Sequence, residues 1–305
     1  MEGEVKNLIE VLLSIPSSLC FCYFISSRIP RGKYRLLSLL PIFSLFTLLP
    51  LRFTYAFPTA VAAFFITWLT NFKLLLFAFD MGPLSSNPPK SLPLFITLAS
   101  LPVKITNPRK FPIYPSDVLI AISNMAARAV VGLELEPPSN EPYFATSLQD
   151  FWGKRWNLMV TNNLRHTVYD PVRSAFKGVL GRERAALPAV MAAFIVSGLM
   201  HELLFYYVTR VSPTWEMTGF FVLHGMCVVA ELVAKRAVSD RWRLRWAVSG
   251  PLTVGFVVAT SFWLFFPPIT NGGADAKIIQ EFKWFADFTK GELILVCDKI
   301  LRLLY

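Results

Sequence analysis

One histidine stands inside an apolar run long enough to cross a membrane, the stretch from Ala193 to Tyr207. From Leu187 to Val208 the residues able to carry charge at neutral pH are His201 and Glu202, and ionisable side chains in a spanning helix are costly enough to mark function. A neutral imidazole there accepts a proton from a hydroxyl group, and its ordinary pKa of about 6.5 suits a general base. The competing reading is a histidine that bonds a neighbouring helix. Three and four residues back stand Gly198 and Ser197, so on a helix the ring borders a small, partly polar notch where a substrate would approach. Counted from Leu187, His201 lies roughly 21 Å into the span, past its midplane. Glu202 faces roughly 100° away and reads as a packing residue. His224, in Val222-Leu-His-Gly-Met226, has no comparable notch and reads as structural.

A second constellation is Ser147-Leu-Gln-Asp-Phe-Trp-Gly-Lys-Arg-Trp-Asn-Leu-Met-Val-Thr161. Read as one helix, it puts Gly153, Asn157 and Thr161 on one face and Trp152 with Trp156 on another, as in a segment wedged at the membrane interface. The Asn157 amide could donate to a carbonyl oxygen and polarise it, and Lys154 and Arg155 could attract phosphate. For the two tryptophans, interface anchoring competes with substrate contact.

Other chemistries are absent from the pattern. His201-Glu202 starts an H-E-x-x-H pattern, but its fifth position is Phe205, so a zinc protease is excluded. The four cysteines, Cys20, Cys22, Cys227 and Cys297, have no C-x-x-C spacing, so neither a metal site nor a disulfide framework is indicated. No Walker loop, Rossmann fingerprint or G-x-S-x-G elbow is present. His166-Thr-Val-Tyr-Asp170 spells H-x-x-x-D but leads into Pro171, and reads as coincidence.

The elements that position these residues follow from composition. Of 305 residues 54% are hydrophobic and 16% charged, too much apolar surface for a soluble domain to hide, so the expected fold is all-α and polytopic. Six apolar runs read as spans: Leu8–Ile25, Leu36–Leu51 broken by Pro41 and Pro50, Ala56–Phe79, Leu187–Val208, Met217–Ala234 and Trp246–Phe266. Leu92–Val103 and Val118–Leu133 are doubtful crossings. Within the third run Lys73 is expected to snorkel to the headgroups and Asn71 to bond a neighbouring helix. The net charge of +10 gathers in short segments between runs, such as Arg28 to Arg35 and Lys235 to Arg245. Positive-inside topology explains it without nucleic acid, and the acidic start at Glu2 and Glu4 argues for a retained first helix. The basic stretch from Glu134 to Ala186, threaded with aromatic residues, is expected to lie in the cytosolic interface.

Four stretches together resemble the plant wax synthase branch of the membrane-bound O-acyltransferases. They are Leu133-Glu-Leu-Glu-Pro137, the segment from Pro142 to Thr161, Val196-Ser-Gly-Leu-Met-His-Glu-Leu203, and Asn71 to Phe79 with Gly82-Pro-Leu-Ser85. The resemblance implies a transmembrane helical bundle of about six to eight spans. It implies one membrane-embedded acyltransferase domain over 1–305: N-terminal spans 1–133, an interfacial segment 134–186 with the Asn motif, spans 187–267 with the His motif, and a tail 268–305. Members are multi-pass enzymes of the endoplasmic reticulum that move a fatty acyl group from acyl-CoA to a long-chain alcohol, or in close relatives to a sterol. Acyl-CoA is a co-substrate there and no cofactor is implied. The family's catalytic histidine and asparagine fall on His201 and Asn157, and Trp152, Lys154, Arg155, Trp156, Ser197 and Gly198 are the expected substrate contacts. One departure stands out. Members carry further transmembrane sequence between the equivalents of Val103 and Ala126, where this chain has only Lys104 to Met125. Loss of that sequence favours a rival reading, an inactive scaffold or a transporter-like protein.

Overall fold

The computed structural model describes residues 2–85, 91–101, 103–104, 134–135, 139–237, 245–284 and 286–287. Among them, six helices are long and apolar enough to cross a membrane. The N-terminal three are α1 (Glu2–Phe24), α2 (Lys33–Leu48) and α3 (Ala56–Ala78), and α4 (Leu92–Ser100) follows. After a two-residue antiparallel pairing of β1 (Val103–Lys104) with β2 (Glu134–Leu135), the chain enters α5 (Leu158–Leu164) and α6 (Asp170–Arg184). Three more spans complete the bundle: α7 (Ala186–Thr209), α8 (Glu216–Ala237) and α9 (Trp246–Thr260), whose span continues to Asn271. The chain is therefore a polytopic helical membrane protein. Its outer surface agrees, because Leu13, Leu252 and Phe262 are 63%, 61% and 70% exposed, apolar contacts that lipid can take and water would oppose.

Several expectations change. Pro41 does not break its span: α2 runs through it, a membrane helix tolerating one lost backbone bond, and the chain turns only at Leu49–Arg52 around Pro50. The nine residues of α4 rise about 14 Å, too little to cross. Lys73 does not reach the headgroups. It is buried, and its Nζ donates to the Leu98 and Leu101 carbonyls at 2.8 and 2.6 Å, at the end of α4 where backbone carbonyls lack helical partners. Asn71 does not bond a neighbour through its Oδ1, which has no partner among the described residues. Val118–Leu133, Arg241, Arg243 and Cys297 lie outside the described residues.

The two halves of the bundle pack differently. Leu19, Leu39, Phe46, Leu74 and Leu98 bring α1 to α4 together in a tight N-terminal core. The C-terminal spans meet through glycines. A Cβ at Gly198 would lie 2.9 Å from the Thr218 Cα, and one at Gly225 would lie 2.9 Å from the Phe194 Cβ, so α7 and α8 approach as closely as small residues permit. Beyond the last span, Glu281 accepts the Ala56 and Phe57 backbone N–H groups at 2.5 and 2.8 Å, capping the start of α3. By contrast α6 buries no residue and leaves Phe176, Val179 and Leu180 exposed beside Arg173 and Lys177.

Candidate active site

A cavity of about 420 Å³ lies between α5, α7 and α8, and both His201 and Asn157 line it. On α7 its wall is Ala186, Val190, Ala193, Ser197 and His201, a stripe at helical spacing. On α8 the wall is Arg236, Leu232, Val228 and Phe221, an antiparallel stripe. From Ala186 to His201 the wall rises about 22 Å. Chemistry changes along that depth: Lys154, Arg165 and Arg236 line the cavity together with an apolar set that includes Leu164, Val190 and Phe194. Ala186 and Arg236 belong to the end of the bundle that carries the basic loops, and His201 lies deep within it.

The backbone sets the tautomer of neutral His201. Its Nδ1 lies 2.7 Å from the Ser197 carbonyl oxygen, one turn earlier on α7. A carbonyl can only accept, so Nδ1 carries the proton and Nε2 keeps its lone pair. No other hydrogen bond reaches the ring among the described residues. Aromatic rings surround it: Phe221 stacks at 4.3 Å, Trp68 meets it edge to face at 5.0 Å, and Phe265 lies at 5.7 Å. Ser197 thus acts through its carbonyl.

Asn157 is placed by a break that the one-helix reading of Ser147 to Thr161 missed. A short helical turn, Leu148–Asp150, runs into a π-helical stretch, Phe151–Arg155, and the chain then reverses through Asn157 at φ 40° before α5 begins. Asparagine tolerates this left-handed conformation better than most residues. Its Oδ1 accepts the Val160 N–H at 3.3 Å as the N-cap of α5, which leaves Nδ2 uncommitted by the cap on a residue that lines the cavity. The local signal was present, since asparagine ahead of an apolar helix is a capping residue.

Of the remaining expected contacts, Trp152, Lys154, Trp156 and Ser197 line the cavity. Arg155 and Gly198 do not. Arg155 pairs with Asp150 at 2.7 Å and donates to the Glu141 carbonyl, which fixes the loop ahead of the motif. Gly198 is taken up by the close approach of α7 to α8. Glu202 is buried and accepts the Thr218 N–H at 3.0 Å, holding the start of α8. His224 is fully buried. Its Nδ1 accepts from Trp152 Nε1 at 3.1 Å and its Nε2 lies 2.9 Å from Thr260 Oγ1, so it ties the motif to α8 and α9. His166 and Asp170 form an exposed pair outside the cavity wall. No group of three His, Cys, Asp or Glu able to hold a metal occurs among the described residues.

Sequence reasoning missed Arg165, Arg236, Phe221 and Trp68 as neighbours of the site. The two arginines belong to basic segments that sequence assigns to the cytosolic side as a whole without singling out either one, and the aromatic pair sits in featureless apolar runs. A shared feature could not be seen from the sequence either. Four π-helical stretches, Ala63–Thr70, Phe151–Arg155, Arg165–Tyr169 and Ser261–Phe265, supply Trp152 and Tyr169 to the cavity wall and Trp68 and Phe265 beside His201. Such irregular turns are frequent at functional sites.

Comparison with known proteins decides the family. The profile of the membrane bound O-acyl transferase family matches residues 135–223, which hold both Asn157 and His201. The Long-chain-alcohol O-fatty-acyltransferase of Simmondsia chinensis is 40% identical over 96% of this chain and 98% of its own length. The chain belongs to the membrane bound O-acyl transferase family. Another member, "Probable long-chain-alcohol O-fatty-acyltransferase 3" of Arabidopsis thaliana, is 42% identical over 97% of this chain and 99% of its own length. The family member named Acyl-CoA–sterol O-acyltransferase 1, also of Arabidopsis thaliana, is 38% identical over 87% of this chain and 91% of its own. The alignment to the Simmondsia protein runs over 346 positions, more than the 305 residues here, so that relative carries sequence this chain lacks.

Proposed function

We propose that this protein esterifies a long-chain fatty alcohol with the acyl group of a fatty acyl-CoA, in the endoplasmic reticulum membrane. The observation that carries the reading is the joint placement of His201 and Asn157 on one cavity that has cations and an apolar wall. Such a cavity suits a ligand with a phosphate-bearing head and a long apolar tail. In this reading Lys154, Arg165 and Arg236 receive the CoA phosphates from the cytosol, and the apolar wall takes the acyl chain. Asn157 Nδ2 donates to the thioester carbonyl oxygen and stabilises the charge that builds on it. The alcohol hydroxyl gives its proton to His201 Nε2 as its oxygen attacks the carbonyl carbon. The carbon–sulfur bond then breaks, and the CoA sulfur leaves with the proton that His201 returns. No metal or cofactor enters this sequence.

A sterol as acceptor is the second reading, supported by the relative named a sterol acyltransferase. The same residues serve either alcohol. The test is free CoA release by microsomes that express this chain in a host without such activity, with palmitoyl-CoA offered beside a fatty alcohol or a sterol. Release that needs one acceptor and His201 is expected. Undiminished synthesis by His201→Ala would overturn the mechanism, and no release by well-inserted protein would favour a non-catalytic scaffold that lacks the sequence its relatives carry.

A further inference from the structure

The reading of His201 as base leaves a charge unaccounted for. Once Nε2 takes the alcohol proton the ring is a cation within a membrane bundle, where an isolated charge is costly. Hydrolytic sites commonly place a carboxylate on the far nitrogen for this purpose. Here that nitrogen faces the neutral Ser197 carbonyl at 2.7 Å. The adjacent acid is committed elsewhere, because Glu202 accepts the Thr218 backbone N–H, and no ion pair to His201 exists among the described residues.

What does surround the ring is aromatic. The Trp68 ring centroid lies 5.0 Å from that of His201 with the two planes at 85°, and Phe221 stacks on it at 4.3 Å and 30°, both inside the roughly 6 Å at which a cation placed over an aromatic face is attracted, by tryptophan the most strongly. Trp68 is an odd choice for simple packing. It is only 1% exposed and its Nε1 has no hydrogen-bond partner among the described residues, so the indole is buried at a cost that phenylalanine would not carry. It also stands on the π-helical stretch Ala63–Thr70, on a different span from either motif residue. It belongs to one core cluster with Val160 of the Asn-bearing helix, against which Val196 of the His-bearing helix packs.

We infer that Trp68 is a positioning residue for the proposed reaction: with Phe221 it forms an aromatic cage that orients the His201 ring and stabilises its charged form through the ring quadrupole, in place of a carboxylate. The inference rests on the proposed role of His201 and adds a residue outside both motifs. It makes α3 part of the reaction centre.

The test replaces Trp68 site-specifically with mono-, di- and trifluorotryptophan, which keep its shape and N–H while drawing electron density off the ring face. With palmitoyl-CoA and the accepted alcohol, kcat is expected to fall about two- to threefold with each fluorine while both KM values stay within about twofold. Trp68→Phe should lose about 10-fold in kcat and Trp68→Leu about 30-fold or more. Each variant's thermal transition in detergent is measured alongside, since a merely structural role would move stability without tracking fluorine number. A flat kcat across the fluorinated series, in enzyme whose synthesis still needs His201, overturns the cage and leaves the proposed function standing. Ester synthesis that survives His201→Ala overturns both.

Discussion

His201 and His224 are the same residue type on adjacent helices of one bundle, and they differ in how completely they are satisfied. Both nitrogens of His224 have side-chain neighbours, Trp152 and Thr260, and the residue has no exposed surface. One nitrogen of His201 is bonded, to a carbonyl, and the ring borders a cavity. A fully partnered intramembrane histidine fastens helices, whereas one with a spare lone pair and an open side can exchange a proton. Burial alone would not have separated them.

The comparison is sharpest when each histidine is removed. His201→Ala should lower acceptor-dependent CoA release by about 10²- to 10⁴-fold, the usual worth of a positioned general base. Its thermal transition should fall only by what the lost contacts with Trp68, Phe221 and Phe265 cost, because the ring's one hydrogen bond is to its own helix. Next in size is Asn157→Asp, which keeps an acceptor for the Val160 N–H but removes the Nδ2 donor. Ester synthesis should drop by about 10- to 100-fold with the fold retained. Asn157→Ala should lose as much activity and also about 1 kcal/mol of stability, seen as earlier unfolding in detergent.

His224→Leu reverses the pattern. It leaves the Trp152 indole N–H buried without its acceptor, so about 1–3 kcal/mol of stability should be lost. Activity per folded molecule should stay within about threefold of the parent if His224 serves packing alone. A His224→Leu protein with parental thermal behaviour and a collapsed rate would erase the distinction between the two histidines. The smallest effect is expected for Arg155→Met, which removes a partly exposed ion pair with Asp150. Stability should change by no more than about 1 kcal/mol and the KM for acyl-CoA should hold within about twofold.

The spans were legible because apolar length is a property of composition, and His201 because an ionisable residue interrupts such a run. What surrounds His201 was not. The i−3 and i−4 positions were correctly located on its face, yet Gly198 is spent on the contact with Thr218 and Ser197 works through its backbone. Helical spacing tells which residues share a face but not which neighbour that face meets. Asn157 carried its own signal as a cap, although the helix assumed around it is broken by the Phe151–Arg155 stretch and the left-handed turn. Trp68 had no signal in sequence, since an aromatic in an apolar run acquires meaning only when another span arrives beside it.

Lys73 carries a consequence for the order in which the protein is made. The two carbonyl oxygens that receive its ammonium belong to Leu98 and Leu101, 25 and 28 residues further along the chain. When Lys73 leaves the ribosome those acceptors, 25 and 28 residues behind it, are still inside the exit tunnel, so the third span emerges before the two carbonyls can reach its ammonium. It can settle only after α4 has emerged and folded back against it. The short helix that cannot cross the membrane is thus the piece that completes the insertion of one that does.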